Sequence, residues 1–405
     1  MSTESKAIKT LARLRQYCEN EQFKGWDPYD GLNSRVYRAI PLLNRSAIWR
    51  LCVIQGFKRS PINLRPLMLV PKEHNAKGIG LFLKGYCNLY HAVSLRPELA
   101  ESFGDLESLK KRITEVASLL ISLRSDGYSG SCWGYNFDWQ CRREFLFPKN
   151  LPTVVATSFC ATALMDAYDI TADRRMLHIA LSSVKFIVND LRRTPCERGF
   201  IFSYSPIPGN DTIINASLLA TRLLAKAYNY SHNEEWLDLA RQSAMACIDA
   251  QRPDGSWPYG LKSVTSWCDS FHTGYNLDGL AAFADITHDK ETLDAIHRGF
   301  EFYIRNFFTD NAEPKYYHDR QYPIDIHCPG QLIVTAARLN RFDENRQLID
   351  NVLEWTINRM FDSKKGYFFY QLKHTKSSKI PYMRWSNAFM FAALSEYVLA
   401  TSAVK

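Results

Sequence analysis

The sequence predicts an all-α fold of the (α/α)6-toroid type. Six or seven helical hairpins would close into a ring, with long, partly β-hairpin loops on one face. Three observations predict it. From about residue 100 onward, two kinds of helix alternate. One kind, such as EEWLDLARQSAMACIDAQ, is charged along one face; the other, such as NASLLATRLLAKAY, is rich in Ala, Ser and other small residues. The connection from a charged helix into a small-residue helix is long and aromatic, whereas the return is short and polar, as in DITADRRM, YSHNEE and ITHDKE. Finally, no strand–helix alternation of the kind that builds a parallel sheet is present.

A helix charged on one face covers a surface. A helix of small residues can pack on both flanks. The charged helices therefore form an outer ring around an inner one. All the long loops then meet at one mouth, where function is expected, because sites ride on loops held by a rigid scaffold.

Residues 5–20 read as a first amphipathic helix, and 45–57 as another beyond the turn-rich Gly25–Pro41. Leu64–Gly80, bounded by Pro and Gly, leads into the apolar helix GLFLKGYCNLYHAV. Residues 1–75 are thus irregular N-terminal hairpins, and 76–405 are regular ones of the same single domain. The regular pairs are 105–123 with 153–168, 173–191 with 212–229, 234–250 with 271–286, 291–306 with 325–338, and 343–360 with 385–400. The long loops carry the markers Gly127-Tyr128, Gly199-Phe200, Gly255-Ser256-Trp257, Lys315-Tyr316 and Gly366-Tyr367. Their spacing of 72 and then 56 residues is too long for tetratricopeptide or ankyrin units. GFIFSYS and GYFFYQLK alternate as short hairpin strands do.

The net charge of +8 is mild for 405 residues and suits an acidic saccharide partner. No basic run interleaved with stacking aromatics marks a nucleic-acid surface. The ten Cys include no C-x-x-C pair, and several fall within apolar helical patterns. The N-terminus, MSTESKAIKTLARLRQYCENEQ, lacks the apolar stretch of a signal peptide, and no apolar run is long enough to span a membrane. A reduced, cytoplasmic protein is expected. No phosphate-binding loop, dinucleotide fingerprint or G-x-S-x-G is present, so no cofactor is expected.

The acids expected at the mouth are Asp138, Asp254, Asp269 and Asp325. Glycosidic cleavage needs two carboxyls, one on each side of the bond. Each acid also has a structural reading. Asp254 lies in a Pro-Asp-Gly turn, Asp138 could pair with Arg142, and Asp269 and Asp325 could cap inner helices. Asp269 precedes His272 by three residues, and Asp325 precedes His327 by two. A carboxylate that orients an imidazole raises its basicity, as acid–base catalysis requires. Trp133, Trp139, Trp257, Tyr259, Trp267, Tyr316, Tyr322 and Trp385 could stack on sugar rings. Arg142 and Arg384 are the cations for an acidic substrate; Arg384 opens an inner helix amid aromatics. Cys268, His272, His327 and Cys328 lack metal-ligand spacing, and no metal is expected.

The series QRPDGSWPYG, FHTGYNLDGL, PKYYHDRQYPIDIH and KKGYFFYQLK…IPYMRW resembles a bacterial and archaeal family of α/α-toroid proteins found with surface-polysaccharide biosynthesis genes. The resemblance covers about residues 25–400. Family members often bear the label delta-aminolevulinic acid dehydratase, a (β/α)-barrel activity that the helical pattern here excludes. In plan the toroid is similar to six-hairpin glycosidases, uronyl hydrolases, polysaccharide lyases and glucuronyl C5-epimerases. QRPDGSW also resembles a structural element of triterpene cyclases, whose D-x-D-D acid motif is absent. The resemblance implies a carbohydrate-active protein of surface-polysaccharide biosynthesis, alongside other glycan-synthesis proteins. The expected chemistry is at glycosidic bonds of an acidic saccharide. The alternatives are uronyl C5-epimerisation or lyase chemistry, and non-catalytic saccharide binding or assembly.

Overall fold

The structure, a computed structural model, describes residues 2–141 and 145–403. Its longer helices are α1 (Thr3–Asn20), α2 (Ala47–Arg59), α3 (Ala76–Leu95), α4 (Leu106–Ser122), α5 (Val154–Thr171), α6 (Arg174–Asp190) and α7 (Ile214–Ser231). They continue as α8 (Glu234–Asp249), α9 (Ser270–Thr287), α10 (Lys290–Phe307), α11 (His327–Arg338), α12 (Arg346–Met360) and α13 (Phe389–Ala403). The inner ring runs α3, α5, α7, α9, α11 and α13, each packed on the next, and α13 closes on α3. The outer helices are α1, α4, α6, α8, α10 and α12. The ring therefore has six hairpins. The sixth is α1 with α3, and its long loop is the whole of residues 21–75, including α2.

The two helix classes follow from their side chains. Along α9, FHTGYNLDGLAAFA is buried almost throughout, since a ring helix meets neighbours on both flanks and an outer helix behind. Gly279 shows how close the approach is: a Cβ there would lie 2.6 Å from the Leu218 carbonyl oxygen of α7. One apolar cluster runs from Ala7 to Val398 through both rings.

The short returns share one construction. Ala172, His232 and His288 each end an inner helix in the left-handed conformation. The residue after each, Asp173, Asn233 or Asp289, caps the next outer helix with its side chain. The residue before each, Thr171, Ser231 or Thr287, accepts from that capping residue's own N–H. Helix end and helix start are thereby satisfied within three residues.

The long loops carry two-stranded ladders. Trp139–Cys141 pairs with Phe145–Phe147, and Arg193–Cys196 with Gly199–Phe202, both antiparallel. Ile324–Asp325 pairs with Gln371–Leu372, which ties two neighbouring loops together at the mouth. No helix is long and apolar enough to cross a membrane, among the described residues.

Candidate active site

The N-terminal parts of five inner helices converge beneath the long loops. Each brings a side chain to one cavity: Lys77 on α3, Val155 on α5, Asn215 on α7, His272 and Tyr275 on α9, and His327 on α11. A π-helical segment, Met383–Ala388, leads into α13 and adds Arg384 and Trp385. Tyr29, Tyr135, Trp139, Tyr204, Tyr259 and Tyr316 form the walls. The empty space is about 660 Å³ including the open solvent at its mouth. No Asp or Glu lines it, among the described residues.

Asp269 both caps α9 and orients a histidine. Its Oδ1 accepts the His272 backbone N–H at 3.1 Å, and its Oδ2 faces His272 Nδ1 at 2.7 Å. Oδ2 also accepts from Trp267 Nε1 at 3.2 Å. A carboxylate can only accept, so the imidazole proton sits on Nδ1 and Nε2 keeps its lone pair. Asp269 is buried, whereas the His272 side chain remains 21% exposed. Trp267 stacks on Tyr259 with centroids 4.7 Å apart, and Tyr259 lies 4.7 Å from the His272 ring.

Asp325 does not form the matching pair with the His327 ring. Its Oδ1 accepts the His327 backbone N–H at 3.0 Å and Trp385 Nε1 at 2.8 Å, and its Oδ2 accepts from Gln371 at 3.2 Å. Burial pushes the Asp325 carboxyl up to about 6 against these hydrogen bonds. Asp325 thus holds Trp385 and the start of α11 in place from behind the cavity.

His327 turns to Tyr275 instead, with Nε2 2.7 Å from the hydroxyl. Lys77 Nζ donates to the same hydroxyl at 3.3 Å. With Lys77 donating to it, the Tyr275 hydroxyl can give its own proton to His327 Nε2 in the tautomer that carries the imidazole proton on Nδ1. That nitrogen is buried and has no partner among the described residues. Burial holds His327 well below its ordinary pKa, and the charges of Lys77, Arg384 and His272 add to the effect. Lys77 is also lowered, chiefly by burial and then by Arg384. Its ammonium lies over the rings of Phe159, Phe389 and Tyr275, 4.2, 4.9 and 5.0 Å from their centroids. Phe271 stands between the two imidazoles, 4.2 Å from His272 and 4.6 Å from His327.

Arg384 reaches the cavity, but its charge is already matched. Nε and Nη2 bind the two Asp27 oxygens at 2.6 and 2.8 Å, and both residues are buried. This fork–fork pair joins the N-terminal loop to the last inner helix.

Other expected residues lie outside the cavity. Asp138 accepts from Lys149 N and Arg38 on the rim. Asp254 makes the turn its sequence suggests, with Oδ1 accepting from Ser256 N at 2.9 Å. Trp133 and Trp257 are wholly buried, and each indole donates to a carbonyl near the end of the preceding outer helix, Leu120 and Cys247. They tie loop to helix and present no face to a ligand. Tyr322 is exposed and packs against His374. Arg142 lies outside the described residues. No three His, Cys, Asp or Glu side chains form a metal-ligand group, among the described residues.

Of the residues the sequence singles out, His272, His327, Tyr259, Tyr316, Trp139, Arg384 and Trp385 line this cavity; Lys77, Tyr275, Asn215 and Tyr29, which it does not single out, line it too, and Asp27 stands behind Arg384. For Lys77 a signal existed. It lies two residues after the Asn75 cap and begins a stretch, KGIGLFL, that is otherwise apolar.

Six hairpins closed around an aromatic mouth define the class by fold: a six-hairpin α/α toroid. Solved structures that share it include cellobiose 2-epimerase from Bacillus thermoamylovorans, with TM-score 0.61 and 11% identity over 81% of this chain and 89% of that one. A family 76 glycoside hydrolase (mannosidase) from Bacteroides thetaiotaomicron aligns over 98% of both chains, with TM-score 0.59 and 13% identity. A D-mannose isomerase aligns over 81% of this chain and 87% of its own, with TM-score 0.57 and 13% identity. At such identities the likeness is one of fold. No family model and no curated protein matches the chain.

Proposed function

We propose that this protein moves a proton at a carbon next to the carbonyl of a saccharide, as a sugar epimerase or isomerase. The observation that carries this reading is the cavity's titratable set. It presents two imidazoles, one lysine, one arginine and six tyrosines, of which Tyr275 joins His327 to Lys77, and no carboxyl among the described residues. Glycosidic cleavage needs two facing carboxyls. Asp269 and Asp325 instead stand behind His272 and Trp385, and Asp138 and Asp254 lie elsewhere.

In this reading, His272 Nε2 takes the proton from carbon, with Asp269 steadying the imidazolium that forms. The electron pair moves onto the carbonyl oxygen, giving an enediolate. Lys77 and the converging helix N-termini favour that negative charge. The Tyr275–His327 pair delivers a proton to the opposite face in an epimerase, or to the neighbouring carbon in an isomerase, where a proton also passes from the adjacent hydroxyl to the former carbonyl oxygen; His272 gives its proton to solvent and the pair is reprotonated from it. The aromatic walls would stack on the sugar. The printed activities of two structural neighbours, an epimerase and an isomerase, fit this choice. Because Asp27 neutralises Arg384, a neutral sugar suits the cavity better than a uronate. The motif resemblance to the surface-polysaccharide family suggests a glycan precursor as the substrate and the cytoplasm as the setting.

The test is a screen of reducing mono- and disaccharides, with epimers and isomers resolved by anion-exchange chromatography. A new epimer or ketose with wild type, absent with His272→Asn, supports the reading. Release of free sugar from glycosides, with no isomer formed, would replace it with hydrolysis.

A further inference from the structure

The chain's charge is not spread evenly. Residues 31–72 hold eight Lys and Arg and no Asp or Glu. The whole chain has 50 basic and 42 acidic residues, so its formal +8 equals the charge of this segment, and the rest balances.

The same segment exposes apolar side chains. Of fourteen large apolar residues exposed among the described residues, eight lie here: Val36, Ile40, Leu42, Ile48, Trp49, Ile62, Leu67 and Leu69. Leu42, Ile62 and Leu67 are 72, 70 and 77% exposed. α2 buries Ile54 and Phe57 on one side and turns Ile48 and Trp49 outward on the other. Around them Arg35, Arg45 and Arg59 are exposed and pair with no carboxylate, among the described residues. The segment sits at the mouth: Arg50 binds Gln140, and Lys58 binds the hydroxyl of the cavity residue Tyr29 at 2.7 Å.

We infer that residues 31–72 form an interfacial surface that seats the mouth of the toroid on an anionic lipid bilayer. Trp, Leu and Ile beside arginines, with no acid among them, match the apolar boundary and negative headgroups of such a surface. A second copy is a poor occupant. Arg38, Arg65 and Lys72 are paired with Asp138, Asp30 and Glu21, but a two-fold contact would set Arg35, Arg45 and Arg59, which no carboxylate pairs among the described residues, against their own copies. The apolar residues come from several short pieces of chain and project outward, which suits a flat, yielding surface.

Vesicle co-sedimentation tests this with the full-length protein. Wild type is expected to bind phosphatidylcholine vesicles containing phosphatidylglycerol, to bind pure phosphatidylcholine vesicles far less, and to release at high salt. Each arginine reversed among Arg35, Arg45 and Arg59 should lower partitioning by at least roughly fivefold. Trp49→Asp should also lower it. All these residues are exposed, so unchanged melting curves separate lost binding from lost folding. Equal binding to both vesicle types, or none at low salt, overturns the inference. So does a dimer in sedimentation that Trp49→Asp disrupts, which would make the patch a protein interface.

Discussion

Replacing Lys77 by Met should make the protein more stable and less active. Lys77 is 3% exposed, and its one hydrogen-bond partner is the neutral Tyr275 hydroxyl. No carboxylate pairs with it, among the described residues. Burying an ammonium this way costs several kcal/mol. Three aromatic rings return about 1 kcal/mol each at best. Methionine fills similar space without the charge, so a net gain of about 1–3 kcal/mol is expected near neutral pH. For a chain of this length, with about 2.1 cal/mol/K per residue of unfolding entropy, that raises Tm by roughly 1–4 °C. The pH dependence gives the sharper signature. The folded-state pKa of Lys77 lies well below the ordinary lysine value of 10.5, so the unfolded chain binds the extra proton. Wild-type stability then rises with pH between the lowered value and 10.5, and the variant lacks this rise. The Tm gap should be widest at low pH and close toward pH 10 in thermal scans. A gap that ignores pH, or a wild type that is more stable at pH 6, would refute the account of a strained, functional lysine.

Asp269→Asn keeps a helix cap but disturbs the imidazole proton, so proton exchange should fall by about 10²- to 10⁴-fold while Tm moves little. The Asp325 carboxyl, raised from 3.8 to about 6, favours the folded state below pH 4 and loses that contribution as pH rises through 6. Asp325→Asn should therefore lack a decline of about 3 kcal/mol across that range, read by denaturant melts at pH 4 and 7. Gly299→Ala drives a methyl into the Trp257 ring, 2.8 Å from its Cη2, and should cost about 1–3 kcal/mol. Activity per folded molecule should not change, since Trp257 ties loop to helix and meets no ligand. Asp138→Asn and Asp254→Asn should leave turnover within about twofold; a large loss in either would restore a role for the rim acids.

The ring was legible because helix class is written in composition. TSFCATALMDAY can only be a helix with neighbours on both flanks, and EEWLDLARQ one with a wet face. The site was legible where function and local structure share a residue, as at Asp269, whose capping role and histidine pairing both follow from a three-residue spacing. It failed where the partner lies far along the chain. Asp27 and Arg384 are 357 residues apart, and no local pattern announces that they neutralise each other. Aromatics misled for a related reason. Trp133 and Trp257 sit in loops, as sugar platforms do, but their indole N–H groups are spent on carbonyls of the preceding helix, which only the fold reveals. Lys77 was passed over because a lysine early in a helix is normally solvated; ring closure buries this one.

The most direct measurement is isotope exchange. The protein is incubated in heavy water with the reducing sugar that the chromatographic screen identifies. Recovered substrate and product are then read by mass spectrometry and proton NMR. The account predicts one carbon-bound deuterium next to the carbonyl in the product, and loss of that label with His272→Asn. Product formed with no carbon-bound deuterium in product or recovered substrate, or with the label unchanged by His272→Asn, would contradict it.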